Sequence, residues 1–165
     1  VKARIFSIAA TALMVAVLLA ALPLTIPKLW GYQIYNVLTS SMTPALPPGS
    51  AIYVKACDAQ DLEPGDIITF TLSSSTTLVE THRVVENDWQ ARQLVTKGDA
   101  NADVDIDPVA YDRVVGKVVF SIPVLGAASQ MMRSRGGIAV CIAIFALAFI
   151  LWTLADKMKK RESFK

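Results

Sequence analysis

The chain has 165 residues, a length that suits one modest domain. Hydrophobic residues make up 53% and charged residues 18%, a balance that excludes intrinsic disorder for most of the chain and argues against a purely soluble protein. The formal net charge of +2 hides a segregation: basic groups gather near the two ends, while residues 28–135 hold nine basic against twelve acidic groups.

Residues 5–27, IFSIAATALMVAVLLAALPLTIP, carry no charge. Such a run is long enough to cross a hydrocarbon core of about 30 Å as a helix. Lys2 and Arg4 stand before it with no acid. An uncleaved anchor is preferred over a cleaved signal peptide: the run exceeds the usual apolar region of about 7–15 residues, and LPLTIP offers no small-x-small cleavage site. A second uncharged run, GGIAVCIAIFALAFILWTLA, covers residues 136–155 and is followed by Lys157, Lys159, Lys160, Arg161 and Lys165. The positive-inside rule then puts both termini in the cytoplasm and the middle section on the outer face of the cell membrane. The expected organisation is a cytoplasmic start and first span over 1–27, an extracytoplasmic domain over 28–135, and a second span with a basic cytoplasmic tail over 136–165.

The middle section is strand-like. Ile34–Leu38, Ala51–Lys55, Ile67–Leu72, Thr77–Val85, Arg92–Thr96 and Val114–Ser121 are rich in β-branched and aromatic residues. Pro47-Pro48-Gly49, Pro64-Gly65-Asp66, Ser73-Ser74-Ser75 and Glu86-Asn87-Asp88 supply turn signals between them. No amphipathic helix of ordinary length is expected between residues 30 and 121. The predicted fold is mainly β, a small partly closed barrel or folded-over sheet flanked by two transmembrane helices. Residues 121–135 link the last strand to the second span, and their apolar side chains suit either a membrane surface or the domain core.

The reactive side chains narrow the chemistry. Two cysteines, Cys57 and Cys141, fall in different regions and make no disulfide framework. One histidine and two separated cysteines do not make a conventional zinc site. No phosphate-binding glycine loop or dinucleotide fingerprint is present, so no cofactor or metal is expected. The acidic middle section has no basic-aromatic stripe, which excludes nucleic acid as a partner. Ser41, in Thr39-Ser40-Ser41-Met42-Thr43-Pro44, is a candidate nucleophile beside a proline-bounded turn. A serine needs a base to take its proton, and His82 is the one imidazole in the chain. Asp99, Asp103, Asp105 and Asp107 are candidates for the carboxylate that orients it. A turn hydroxyl, a structural strand histidine and a turn-capping aspartate account for the same residues without catalysis.

These residues resemble type I signal peptidases, specifically the archaeal and endoplasmic-reticulum-like branch found also in some Gram-positive bacteria. The likeness covers roughly residues 5–126. It is carried by Ser41-Met42-Thr43-Pro44, by Thr81-His82-Arg83-Val84, and by Lys97-Gly98-Asp99-Ala100-Asn101 followed by Asp105, with Val115-Gly116-Lys117-Val118 beyond. The resemblance implies a membrane-bound serine endopeptidase that cuts signal peptides from exported preproteins after small residues at −1 and −3. Ser41 would be the nucleophile and His82 the general base. Asp105 ranks ahead of Asp99 as the orienting carboxylate, with Asp99 serving the loop or the catalytic network. The usual Ser-Gly-Ser-Met reads Thr39-Ser40-Ser41-Met42 here. Thr39 keeps a hydroxyl for the oxyanion alongside the Ser41 N–H. The implied partners are secretory preproteins and the lipid bilayer, with association with the protein-export machinery also open. Two alternatives stay open: an inactive membrane-anchored β domain for assembly, and a Ser-Lys peptidase of related fold with Lys97 as base.

Overall fold

A computed structural model describes residues 2–73 and 75–163. The long helices are α1 (Lys2–Leu29) and α3 (Arg135–Ser163). A shorter helix, α2 (Leu125–Arg133), precedes α3. Seven strands lie between: β1 (Tyr32–Asn36), β2 (Ala51–Lys55), β3 (Ile67–Thr71), β4 (Val79–Asp88), β5 (Gln93–Lys97), β6 (Val109–Ala110) and β7 (Val114–Ile122). The chain divides into two compact units, residues 27–130 and residues 1–26 with 131–165.

Arg4–Leu29, which begins in the second of these units and runs three residues past its boundary, and Arg135–Met158, inside it, are long and apolar enough to cross a membrane. Little of either is buried, so neither is the core helix of a soluble domain. Their well-buried positions are small residues, Ala10, Ala148 and Ala155. Leu18, Leu19, Ile142 and Phe149 face outward instead, as suits an apolar solvent.

The unit spanning residues 27–130 is one curled antiparallel sheet in the order β1-β2-β7-β3-β4-β5-β6, a half-barrel. Register shifts at Tyr53/Val54, Thr69/Phe70 and Val84/Glu86 bend the strands. Gly116 allows the closest approach, since a Cβ there would stand 2.3 Å from the Lys55 carbonyl oxygen. Alternation along β3 divides the core between the two faces of the sheet. Ile68 and Phe70 pack with Val84, Leu94, Val109 and Tyr111. Ile67 faces the other way, against a cluster of Met42, Leu46, Ile52 and Val54.

The mainly β expectation holds, and one local one changes. Glu86-Asn87-Asp88 is not a turn, because β4 continues to Asp88. The Asn87 amide donates to the carbonyls of Ala59 (3.1 Å) and Leu62 (2.8 Å), and its oxygen accepts from Tyr111. Tertiary partners thus hold a turn-forming residue in a strand. The reversal follows it, where Asp88 Oδ1 caps the N–H groups of Gln90 and Ala91. The linker after β7 contains α2, whose Ser129 hydroxyl is buried and donates to the Gly126 carbonyl at 2.8 Å. The two-residue β6 is too short to show a period. The segment from Asn101 to Pro108 contains bends and no strand.

Candidate active site

β1 pairs with β2, and the chain beyond it stays tied there. The Val37 N–H donates to the Ser50 carbonyl at 2.9 Å, and the Gly49 N–H to the Val37 carbonyl at 2.8 Å. The following turn closes with Thr43 N–H to Ser40 carbonyl (3.0 Å) and Leu46 N–H to Met42 carbonyl (2.7 Å). Met42 and Leu46 are buried in the core cluster, which anchors the turn from below. Ser41 is left half-buried, its Oγ 3.2 Å from Thr39 Oγ1. Among the described residues no hydrogen bond takes up the Ser41 N–H.

The Ser41 carbonyl accepts from the Ala100 N–H at 2.8 Å, joining this turn to the aspartate loop. Gly98 makes that contact possible, because a Cβ there would lie 2.8 Å from the Ser41 oxygen. The sequence likeness to a Lys-Gly-Asp box thus has a steric basis.

His82 sits mid-β4 opposite Ile68 and is 3% exposed. Its Nδ1 is 2.6 Å from Asp105 Oδ2. The same oxygen accepts from Thr96 Oγ1 at 2.7 Å, and the Asp105 N–H donates to the Thr96 carbonyl at 2.8 Å. A carboxylate can only accept, so Asp105 selects the tautomer with hydrogen on Nδ1 and a lone pair on Nε2. Nε2 is buried and has no hydrogen bond. Glu80 Oε1 lies 3.5 Å from it, and the Phe70 ring meets the imidazole edge-on.

Asp99 lies elsewhere. Successive side chains of β4 point to opposite faces, so Arg83 faces away from the His82 side. Arg83 holds Asp99 in a two-pronged ion pair, Nε to Oδ1 and NH2 to Oδ2, each 2.7 Å. The hydrogen bonds that Arg83 donates to Asp99 push the guanidinium pKa up from its ordinary value. Asp103 and Asp107 are exposed. Lys97 donates to the Ala102 carbonyl at 2.7 Å. Among the described residues no hydrogen bond joins Ser41 to His82, although the segments bearing them both meet the loop that starts at Gly98. Thr96 and Glu80 were not singled out from the sequence. Strand alternation was the available signal, since Glu80 is two residues before His82 on the same face.

No family model matches the chain. Over 91 residues it is 41% identical to Signal peptidase I W of Bacillus subtilis (strain 168). The chain is similar to a signal peptidase. The match takes in 53% of this chain and 47% of that relative, so the chain spans about half the length of the curated relative it matches.

The Asp99 pair leads to a prediction on stability. Arg83 and Asp99 side chains are 35% and 16% exposed, so solvent screens the pair only in part. Replacing Asp99 with asparagine should cost about 1–2 kcal/mol. The check is the melting temperature of D99N beside wild type, expected to fall by several degrees. An unchanged melting temperature would show that the pair does not support the fold.

Proposed function

We propose that this protein is a membrane-anchored serine endopeptidase that removes signal peptides from exported preproteins, with Ser41 as nucleophile and His82 as general base. The observation that carries this reading is the His82 ring, clamped at Nδ1 by Asp105 and left without a hydrogen bond at Nε2. It stands in a chain with signal-peptidase likeness and two apolar helices.

In the proposed reaction the substrate's cleavage segment lies extended beside the site, with small side chains at −1 and −3. His82 Nε2 takes the Ser41 Oγ proton as the oxygen attacks the −1 carbonyl carbon. The developing oxyanion is held by the Ser41 N–H and the Thr39 hydroxyl. The carbon–nitrogen bond then breaks, and the proton on Nε2 passes to the departing amine. Water, deprotonated by the same nitrogen, releases the acyl group. Asp105 keeps the ring in the required tautomer and offsets its transient positive charge. Asp99 supports the loop that carries Asp105.

The residue pattern favours both chain ends in the cytoplasm and the β unit outside, because basic groups flank the outer ends of both apolar runs. The helices would hold enzyme and signal peptide at one membrane depth, raising their effective concentration. Reporter fusions test the topology: a fusion at Asn87 should be exported and one at the C-terminal end should not. An exported C-terminal fusion would rule out the two-span arrangement. The peptidase reading itself is tested by cleavage of a membrane-embedded preprotein by wild type and S41A.

A further inference from the structure

The nitrogen of His82 that faces the reaction is approached by a second carboxylate. Glu80 Oε1 lies 3.5 Å from Nε2, close enough for an ion pair yet not hydrogen-bonded. The Glu80 side chain is 41% exposed, while that of His82 is 4% exposed. Glu80 and Asp105 both line an open cavity of about 620 Å³, with Phe70, Ile106 and Arg113 among its other walls. Glu80 therefore keeps its hydration, whereas the imidazole beside it is dry.

Among the described residues no cation makes a hydrogen bond or ion pair with His82, although Arg113 walls the same cavity. Asp105 comes from the loop after β5 and Glu80 from β4 itself. β5 contributes the neutral Thr96, and β3 the ring of Phe70. The nearby cations are engaged elsewhere: Arg83 with Asp99, Lys97 with the Ala102 carbonyl, and Arg113 with the carbonyls of Thr71 and Leu72. An imidazolium formed here would be flanked by carboxylates on both nitrogens.

We infer that Glu80 is a positioning residue for the reaction, stabilising the proton that Nε2 of His82 receives from Ser41. This rests on the reading of His82 as general base. As the bond between Ser41 Oγ and the substrate carbon forms, the Oγ proton moves to Nε2. A shift of a few tenths of an ångström brings Glu80 Oε1 within hydrogen-bond reach of that N–H. The proton stays on Nε2 until the amine departs and takes it.

The test compares wild type, E80Q, E80D and E86Q as full chains in lipid vesicles. The substrate is a preprotein with alanine at −1 and −3, and S41A is the control. E80Q should move the acid limb of kcat/KM to lower pH by about one unit, as removal of a neighbouring opposite charge does. Its kcat at the optimum should fall about tenfold with KM little changed, the pattern of a contact made after substrate binds. E80D should recover part of both effects. Glu86 is exposed on the same strand, and E86Q should behave as wild type.

A second readout does not depend on cleavage. The chain holds one histidine, so its imidazole gives one Cε1–H NMR signal, which needs no assignment among histidines. The titration midpoint of that signal should move down in E80Q along with the acid limb. Coincident limbs and midpoints in wild type and E80Q would overturn the inference, as would a change confined to KM. If S41A cleaves as fast as wild type, the peptidase reading fails, while the NMR midpoint still decides whether Glu80 acts on His82.

Discussion

Alanine at Ser41 or at His82 is expected to reduce preprotein cleavage at least about a thousandfold, to the residual rate left by binding and oxyanion contacts. The two losses should not add, because a nucleophile and its base act as one unit. The double variant should be no slower than the worse single one. Neither change should unfold the protein. Ser41 lies at the rim of its turn, and the buried anchors there are Met42 and Leu46. His82 is more deeply placed, so H82A leaves a small cavity and an unpaired Asp105, though Thr96 still donates to that carboxylate. Glutamine at position 82 offers a fuller side chain with no comparable base, and it should be as inactive as alanine. Melting temperatures measured beside the cleavage rates separate lost chemistry from lost fold. The alternative base is Lys97, whose ammonium donates to the Ala102 carbonyl. An active H82A with a dead K97A would overturn the assignment in favour of a Ser-Lys pair.

Much of the β unit is legible because its strands are both apolar and punctuated. Ala51–Lys55 coincides with its predicted range, and Ile67–Leu72 and Val114–Ser121 each differ by one residue. Asn87 misleads because its side chain serves tertiary partners that sequence does not reveal. α2 is hidden by its length. Its nine residues, with Gly126 and Ser129 among them, are shorter than the window in which a helical period is read. The site is partly legible for a similar reason. Alternation puts His82 and Arg83 on opposite faces, but it cannot say which aspartate each face meets. That depends on the bends between Asn101 and Asp107, which follow no repeating pattern. Thr96 lies on a neighbouring strand, and its role depends on the β4–β5 register, which shifts at Val84/Glu86.

Asparagine at Asp105 is expected to lower kcat at least about a hundredfold, roughly 2.7 kcal/mol of transition-state stabilisation, with KM little changed. Asp105 Oδ2 accepts from both His82 Nδ1 and Thr96 Oγ1. The threonine hydroxyl can donate or accept, so the asparagine amide is free to turn its NH2 towards the ring. It would then donate to Nδ1 and force the hydrogen onto Nε2, the nitrogen proposed to receive the Ser41 proton. Even in the other orientation, the negative charge that offsets the imidazolium is gone. The fold should tolerate the change, because the Asp105 N–H still donates to the Thr96 carbonyl and the side chain is 21% exposed. Valine at Thr96 is the graded comparison: it removes one hydroxyl contact and leaves the carboxylate, so a loss of a few-fold is expected. D99N supplies the opposite contrast, with thermal stability reduced more than kcat, since Asp99 is held by Arg83 on the other face of β4. Kinetic constants and melting curves for the three variants, taken on the vesicle-reconstituted full chain, decide the matter. A D105N enzyme within a few-fold of wild type, beside a D99N enzyme with the large kcat loss, would transfer the orienting role to Asp99.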